Sequence, residues 1–288
     1  IYEVFIQSKF IKSGLNYGEL FIKGKSQKEI FFSTYICHPS MANNELSGPT
    51  VMIKLSKYIK ENFKNNYFSY RFIFIPETIG SIAYIQKNLK KLKKNVYAAF
   101  NITCVGDNRN ISLVRSPRGN SLSDMAIESL LINEKNKKIY NFKYRGSDER
   151  QFNSPLVDLN MSVFCRTKFG EFEEYHTSGD NLKFISPQGL EKSFIKLKSL
   201  VKAFENGIFI KAKHKCEPFL TKYDLYDTLS FKINYLNKQN KKILDTLAYA
   251  DGNKNIFELC NLLNIKIEDM LIVLEKLKKN KLINCKFI

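Results

Sequence analysis

Two of the chain's three histidines, His38 and His176, sit in local constellations suited to metal chemistry. His38 closes the apolar run of IFFSTYICHPSMANNELSGP (30–49), and His176 lies in EFEEYHTSGDNL (171–182). Neutral imidazole is the commonest metal-ligating side chain, and two imidazoles at the rims of separate strands can converge on one ion. The third histidine, His214, falls in a basic connecting stretch. A single histidine is more often a satisfied structural residue, so its neighbours decide the matter. Here they are acids: Glu77 in PETIGS (76–81) and Asp107 in CVGDN (104–108), suited to general-base and oxygen-ligand work.

Strand-like and helix-like runs must position these residues, and they alternate from the start to about residue 210. Apolar runs at 29–37, 70–75, 96–105, 111–114 and 161–165 read as strands. Between them, 47–62, 81–92, 121–133 and 188–209 read as helices. EIFFSTYIC and RFIFIP are nearly continuously apolar, as strands buried on both faces are. The alternation predicts an α/β fold, a mainly parallel mixed sheet flanked by helices. Segments 2–10 and 19–22 alternate more and suggest a hairpin around 14–18. In open α/β sheets, sites form beyond the carboxyl ends of the strands. His38, Glu77, Asp107 and His176 each follow a predicted strand, which puts all of them at one rim.

A boundary falls at 211–226, KAKHKCEPFLTKYDLY, where charge and Pro218 interrupt the pattern. Helical periodicity returns at 238–250, 255–263 and 267–280, and a short strand follows at 282–288. This order resembles a small winged helix-turn-helix domain, or a three-helix interaction unit. The expected organisation is 1–28 as a hairpin or the end of an inserted α+β domain, 29–211 as the main domain, 212–226 as linker and 227–288 as the winged-helix-like domain.

Composition narrows the classes further. Apolar residues make up 44% of the 288, enough for a packed core, and no uncharged apolar run is long enough to span a membrane. The net charge of +18 raises the question of nucleic acid. Only 7 of the 46 basic residues are Arg, and the Lys are interleaved with Asn and Ile, a pattern of general compositional bias. The six cysteines lack CxxC spacing, and Cys37, Cys104 and Cys165 lie in apolar runs, so buried reduced thiols and a cytoplasmic setting are expected.

The motifs, taken in order, resemble the aminopeptidase-like zinc-hydrolase (M28-type) family over roughly residues 29–210. With its basic C-terminal piece the chain resembles a bacterial subgroup in which an aminopeptidase-like domain precedes a winged helix, and the start IYEVFIQSKF then reads as N-terminally incomplete. The resemblance implies that His38 and His176 bind metal and that Glu77 is the general base. It also implies an Asp, a Glu and an Asp as ligands where this chain has Asn44, Thr78 and Thr103. With three anionic positions neutral, a pair of ions is not expected; one zinc held by His38, His176 and an oxygen of Asn44 or Asp107 is. GSDERQF (146–152) matches a site-facing loop of the family: Asp148 would orient a ligand or a substrate amine, and Arg150 would hold a carboxylate or phosphate. Alternatively Asp148 caps a short helix. Glu173 and Glu174 flank His176 and would support it from behind.

The leading functional expectation is a zinc-dependent hydrolase acting on an amide or peptide-like bond of a small-molecule or peptide-like substrate, with no membrane partner. A non-peptidase role in cell-surface carbohydrate or polysaccharide biosynthesis is the alternative, and a ligand-sensing DNA-binding regulator is a third. No Arg follows Arg166, which removes the bidentate guanine contact from the C-terminal part, although Lys241, Lys242, Lys276, Lys278, Lys279 and Lys281 suit phosphate. Homo-oligomerisation is compatible with the sequence.

Overall fold

A computed structural model describes residues 2–225 and 238–288. Its architecture follows from the apolar middle strands. β2 (Glu29–Tyr35) is buried at every position, and β3 (Ser69–Ile75) at all but Phe74. Strands of this kind need cover on both faces. β2 accordingly lies between β3 and β4 (Val96–Ile102), parallel to both. The other strands are β1 (Gly18–Ile22), β5 (Ile111–Val114), β6 (Lys137–Tyr140) and β7 (Ser162–Cys165), and the sheet order is β1-β3-β2-β4-β7-β5-β6. β1 runs antiparallel on β3, and β5 antiparallel on β7; the remaining neighbours are parallel. The expected mainly parallel mixed sheet is present.

Side-chain alternation along the strands divides the core in two. Phe32, Phe72 and Phe100 face α1 (Ser47–Asn62), α3 (Leu122–Leu130) and α5 (Pro187–Glu205). Phe31, Ile73 and Ala99 face α2 (Ile79–Asn95) and the short α4 (Glu149–Phe152). On this second face lies Arg71, 2% exposed, with its guanidinium donating to Glu29 at 2.6 and 2.9 Å and also paired with Glu19.

The chain then passes from α5 through Asn206, Gly207 and Ile208 into β8 (Phe209–Ala212). Gly207 has φ +85°, a conformation a side chain would strain. β8 is the middle strand of a second sheet, ordered β10-β8-β9 and antiparallel throughout. The rest of this unit is α6 (Lys238–Ala248), β9 (Asp251–Asn255), α7 (Ile256–Leu263), α8 (Ile267–Lys279) and β10 (Ile283–Lys286). Its helices pack on the first unit: Phe257 of α7 meets Phe204 of α5 with ring centroids 4.9 Å apart. The Asn261 amide donates to the Met125 carbonyl at 3.0 Å, and the Lys278 ammonium to the Asn206 carbonyl at 2.5 Å.

The structure differs from the sequence reading at several places. Residues 2–17 carry no regular structure, and β1 pairs with β3 in place of forming a hairpin with them. The helix read to residue 209 ends at Glu205, so β8 crosses the boundary expected at 211–212 and joins the C-terminal sheet. β6 and β9 were not foreseen. The end of the expected linker, Tyr226, lies outside the described residues. Among those residues no helix is long and apolar enough to cross a membrane.

Arg71→Ala would leave Glu29 buried and charged without its main partner. Chemical denaturation is expected to show a loss of about 3–5 kcal/mol, the usual cost of breaking a buried ion pair from one side.

Candidate functional site

His38 stands three residues past the end of β2, and Glu77 two residues past the end of β3. The Ile36 amide donates to the Ile75 carbonyl at 2.9 Å, so the two exits leave the sheet together. Beyond His38 the chain makes one wide helical turn at Ala42–Leu46 before entering α1 at Ser47. Two buried acids hold that turn. Asp180 accepts the backbone N–H groups of Asn43 and Asn44 at 2.6 and 2.9 Å. Asp107 accepts from the Asn43 side-chain NH2 at 3.2 Å, while the Asn43 Oδ1 accepts the Gly106 N–H at 2.8 Å.

Asp107 also takes the Arg109 N–H at 2.8 Å, the Thr167 N–H at 3.0 Å and the Thr167 hydroxyl at 2.7 Å. Both of its oxygens are therefore engaged, and the residue is fully buried. Asp107, expected from sequence as an oxygen ligand, thus serves here as an anchor for the turn.

The Asn44 side-chain oxygen is likewise engaged within the protein. The Tyr35 hydroxyl lies 2.6 Å from its Oδ1 and 2.5 Å from the Thr103 Oγ1. Tyr35 thus fills the space between two positions where the family resemblance implies acidic ligands. Burial raises its phenol well above the ordinary range, so the hydroxyl stays neutral. The Asn44 Nδ2 is buried without a partner.

What does converge on His38 is a pair of groups the sequence reading passed over. The His38 Nδ1 lies 3.1 Å from the Cys37 sulfur and 3.3 Å from the Glu45 Oε2. The ligand atoms of Cys37, His38 and Glu45 all lie within 4.8 Å of one another. Cys37 is exposed, not buried as its apolar run suggested, because β2 ends at Tyr35. Its sulfur accepts the Glu77 N–H at 3.2 Å. Although the residue is exposed overall, partial desolvation of its sulfur pushes the thiol up to about 11, against the pull of that N–H donor. Burial also raises the Glu45 carboxyl, whose other oxygen, Oε1, has no hydrogen-bond partner. An orphaned carboxylate oxygen beside a thiol and an imidazole is a donor set that fits a divalent cation.

The His176 ring stands 5.0 Å from that of His38 and stacks on Tyr175 at 3.9 Å. His176 has φ +56°, and Ser40, Thr78 and Cys104 nearby in the chain segments of the site are also at positive φ. Strained backbone of this kind gathers where surrounding structure over-determines a site. The Glu77 charge reaches Tyr35, Cys37, Asp148 and Tyr175, and raises the pKa of each.

The remaining sequence candidates divide. Asp148 does not cap α4 with its side chain; its Oδ1 accepts the Thr78 N–H at 2.8 Å. Arg150 crosses the same gap, donating to the Thr78 hydroxyl at 2.8 Å, so the 146–152 loop does abut the site. Glu174 faces the other way, in a two-pronged pair with Arg109 at 2.6 and 2.9 Å that lowers its pKa. It does not back His176, contrary to the sequence reading.

A mainly parallel sheet with these groups at its carboxyl rim, followed by a winged helix, is the architecture of an aminopeptidase-like protein with a C-terminal helix-turn-helix. The chain belongs to the family described as domain of unknown function DUF4910, which matches residues 8–207, and a winged helix-turn-helix family matches 208–285. A Clostridium acetobutylicum protein described as a candidate polysaccharide biosynthesis protein with an aminopeptidase-like domain is 38% identical over 227 residues, covering 78% of this chain. The chain spans about half (51%) of the length of that curated relative. A solved candidate peptidase from Clostridium acetobutylicum superposes with TM-score 0.80 at 31% identity, covering 93% of this chain and 60% of that one. An aminopeptidase from Aneurinibacillus sp. strain AM-1 (TM-score 0.52, 16% identity, 66% and 47% covered) shares the fold. So does a zinc aminopeptidase from Bacillus subtilis (0.50, 20%, 65% and 48%).

Burial pushes the Asp148 carboxyl up from 3.8 to about 7. Folding favours its neutral form, so its stabilising contribution is complete below the ordinary carboxyl range and is lost as pH rises through about 7. Urea denaturation between pH 4 and 8 is expected to show this decline, at most about 1.4 kcal/mol per pH unit from one group. Asp148→Asn should flatten it.

Proposed function

We propose that this domain binds one zinc ion beside His38 and hydrolyses an amide or peptide-like bond of a small substrate. The observation that carries the reading is the meeting of the His38 donor cluster and Glu77 at the adjoining carboxyl ends of β2 and β3. The fold shared with zinc aminopeptidases supports the choice of metal. The neutral Tyr35–Asn44–Thr103 lock supports one ion over two, because it ties up two positions that would otherwise serve a second ion.

Bound zinc would supply Lewis-acid polarisation of the substrate carbonyl and a water of lowered pKa. The chain's own groups do the rest. Glu77 accepts the proton of the attacking water and returns it to the leaving amine. Tyr175 and His176, stacked on each other, form an aromatic wall opposite His38 on which the substrate rests. Arg150, already bonded to the Thr78 hydroxyl, offers its remaining guanidinium donors to a carboxylate or phosphate on the substrate.

The name of the Clostridium relative supports a second reading, in which the amide belongs to a carbohydrate precursor and the domain serves polysaccharide biosynthesis. The regulator reading gains less from the structure. α8, the helix that would enter a DNA groove, carries Glu268, Asp269 and Glu275, and Glu268 is paired with Lys196 of α5 at 3.6 Å.

Purified protein is expected to hold about one zinc per chain by elemental analysis, and His38→Ala to lose it. Glu77→Gln should keep the metal while turnover of aminoacyl anilides or N-acylated amino sugars falls by about 10²–10⁴-fold. Unchanged turnover in that variant would remove Glu77 from the proposed chemistry.

A further inference from the structure

The donors that hold the ion need not be those the family resemblance implies. Both oxygen donors expected from sequence are taken: the Asn44 Oδ1 by Tyr35 and the Asp107 carboxylate by Asn43, Arg109 and Thr167. His176 lies beside His38, yet among the described residues it stands outside the group of donor atoms that lie within 4.8 Å of one another. We propose that the ion is held by Cys37, His38 and Glu45, a thiolate, an imidazole and a carboxylate, with His176 facing the open fourth position. This rests on the reading that a metal binds beside His38.

Four observations carry it. All three donors come from one short loop, 37–45, whose far end is clamped through Asn43 and Asn44 by Asp180. The loop is thus folded into a chelate before any metal arrives. The Glu45 Oε1 is buried and has no donor in the protein, and a cation beside His38 would supply its partner. The Cys37 sulfur accepts the Glu77 N–H at 3.2 Å, a bond that fixes it beside the His38 imidazole. Charge also balances: a thiolate and a carboxylate offset one dication, which is the anionic count that Asn44, Thr78 and Thr103 fail to provide.

On binding, the metal replaces the Cys37 thiol proton, which leaves to solvent, and the metal–sulfur bond forms. A mixed sulfur, nitrogen and oxygen set favours zinc or cobalt over magnesium or manganese. With three protein donors, one position stays open, as a hydrolytic ion requires. His176 is then placed to meet the group that occupies it.

Cobalt(II) titration of the purified chain tests the assignment directly, because thiolate-bound cobalt gives an intense charge-transfer band in the near ultraviolet. The expected result is one cobalt per chain with that band. Cys37→Ser should lose the band, with circular dichroism unchanged, and Glu45→Gln should keep it while weakening affinity by about tenfold or more. His176→Ala should bind cobalt with the band intact. Cobalt bound to the wild type without the band would overturn the thiolate set and leave a metal at His38 standing, with Glu45 merely orienting the imidazole. A band that persists in Cys37→Ser would also overturn it. Failure of the wild type to bind cobalt or zinc would remove this inference and the hydrolase reading together.

Discussion

Strand β2 is hydrogen-bonded in parallel on both sides and buried along its whole length, and the rest of the molecule is arranged around that constraint. A strand with no exposed face leaves the sheet only at its end. The groups that reach the rim follow that end: Cys37 and His38 emerge beside Glu77, which emerges from the neighbouring strand at the same height. The helices on either face cover the apolar alternation, and the rim is where backbone and side chains are released from it.

Placement at the rim is then refined by buried charge. Asp107 and Asp180 spend their oxygens on backbone and amide donors of the 42–46 turn. Tyr35, projecting from the last position of β2, ties the turn to Thr103 with neutral hydrogen bonds. The result is an asymmetric site in which one side is braced by the hydrogen bonds of Asp107, Asp180 and Tyr35 and the other keeps a buried Glu45 carboxylate oxygen without a partner.

Much of this was legible in the sequence. Apolar runs marked β2, β3, β4, β5 and β7, and the His38 and Glu77 motifs could be placed at strand ends because a period-2 or fully apolar run has a definable end. The misreadings have physical causes. Cys37 looked buried because Ile36 and Cys37 extend the apolar run past Tyr35, the last residue of β2. Glu45 was passed over because its importance depends on a wide turn that no local pattern announces. Asp107 and Asp180 look alike in sequence to free carboxylates, and only the long-range partners Asn43, Asn44 and Thr167 reveal their use. β9, DGNKN, has poor strand propensity and exists because β8 offers it a ladder.

That last pairing has a wider meaning. A helix-turn-helix on a flexible tether can search, and its host domain is indifferent to where it points. Here the central strand of the C-terminal sheet follows the last helix of the aminopeptidase-like domain after three residues, and α7 and α8 lean on that domain's own helices. The two units are held together by that short connection and by the contacts of α7 and α8 with the first unit. In this chain the helix-turn-helix also serves as a packing surface for the domain it adjoins.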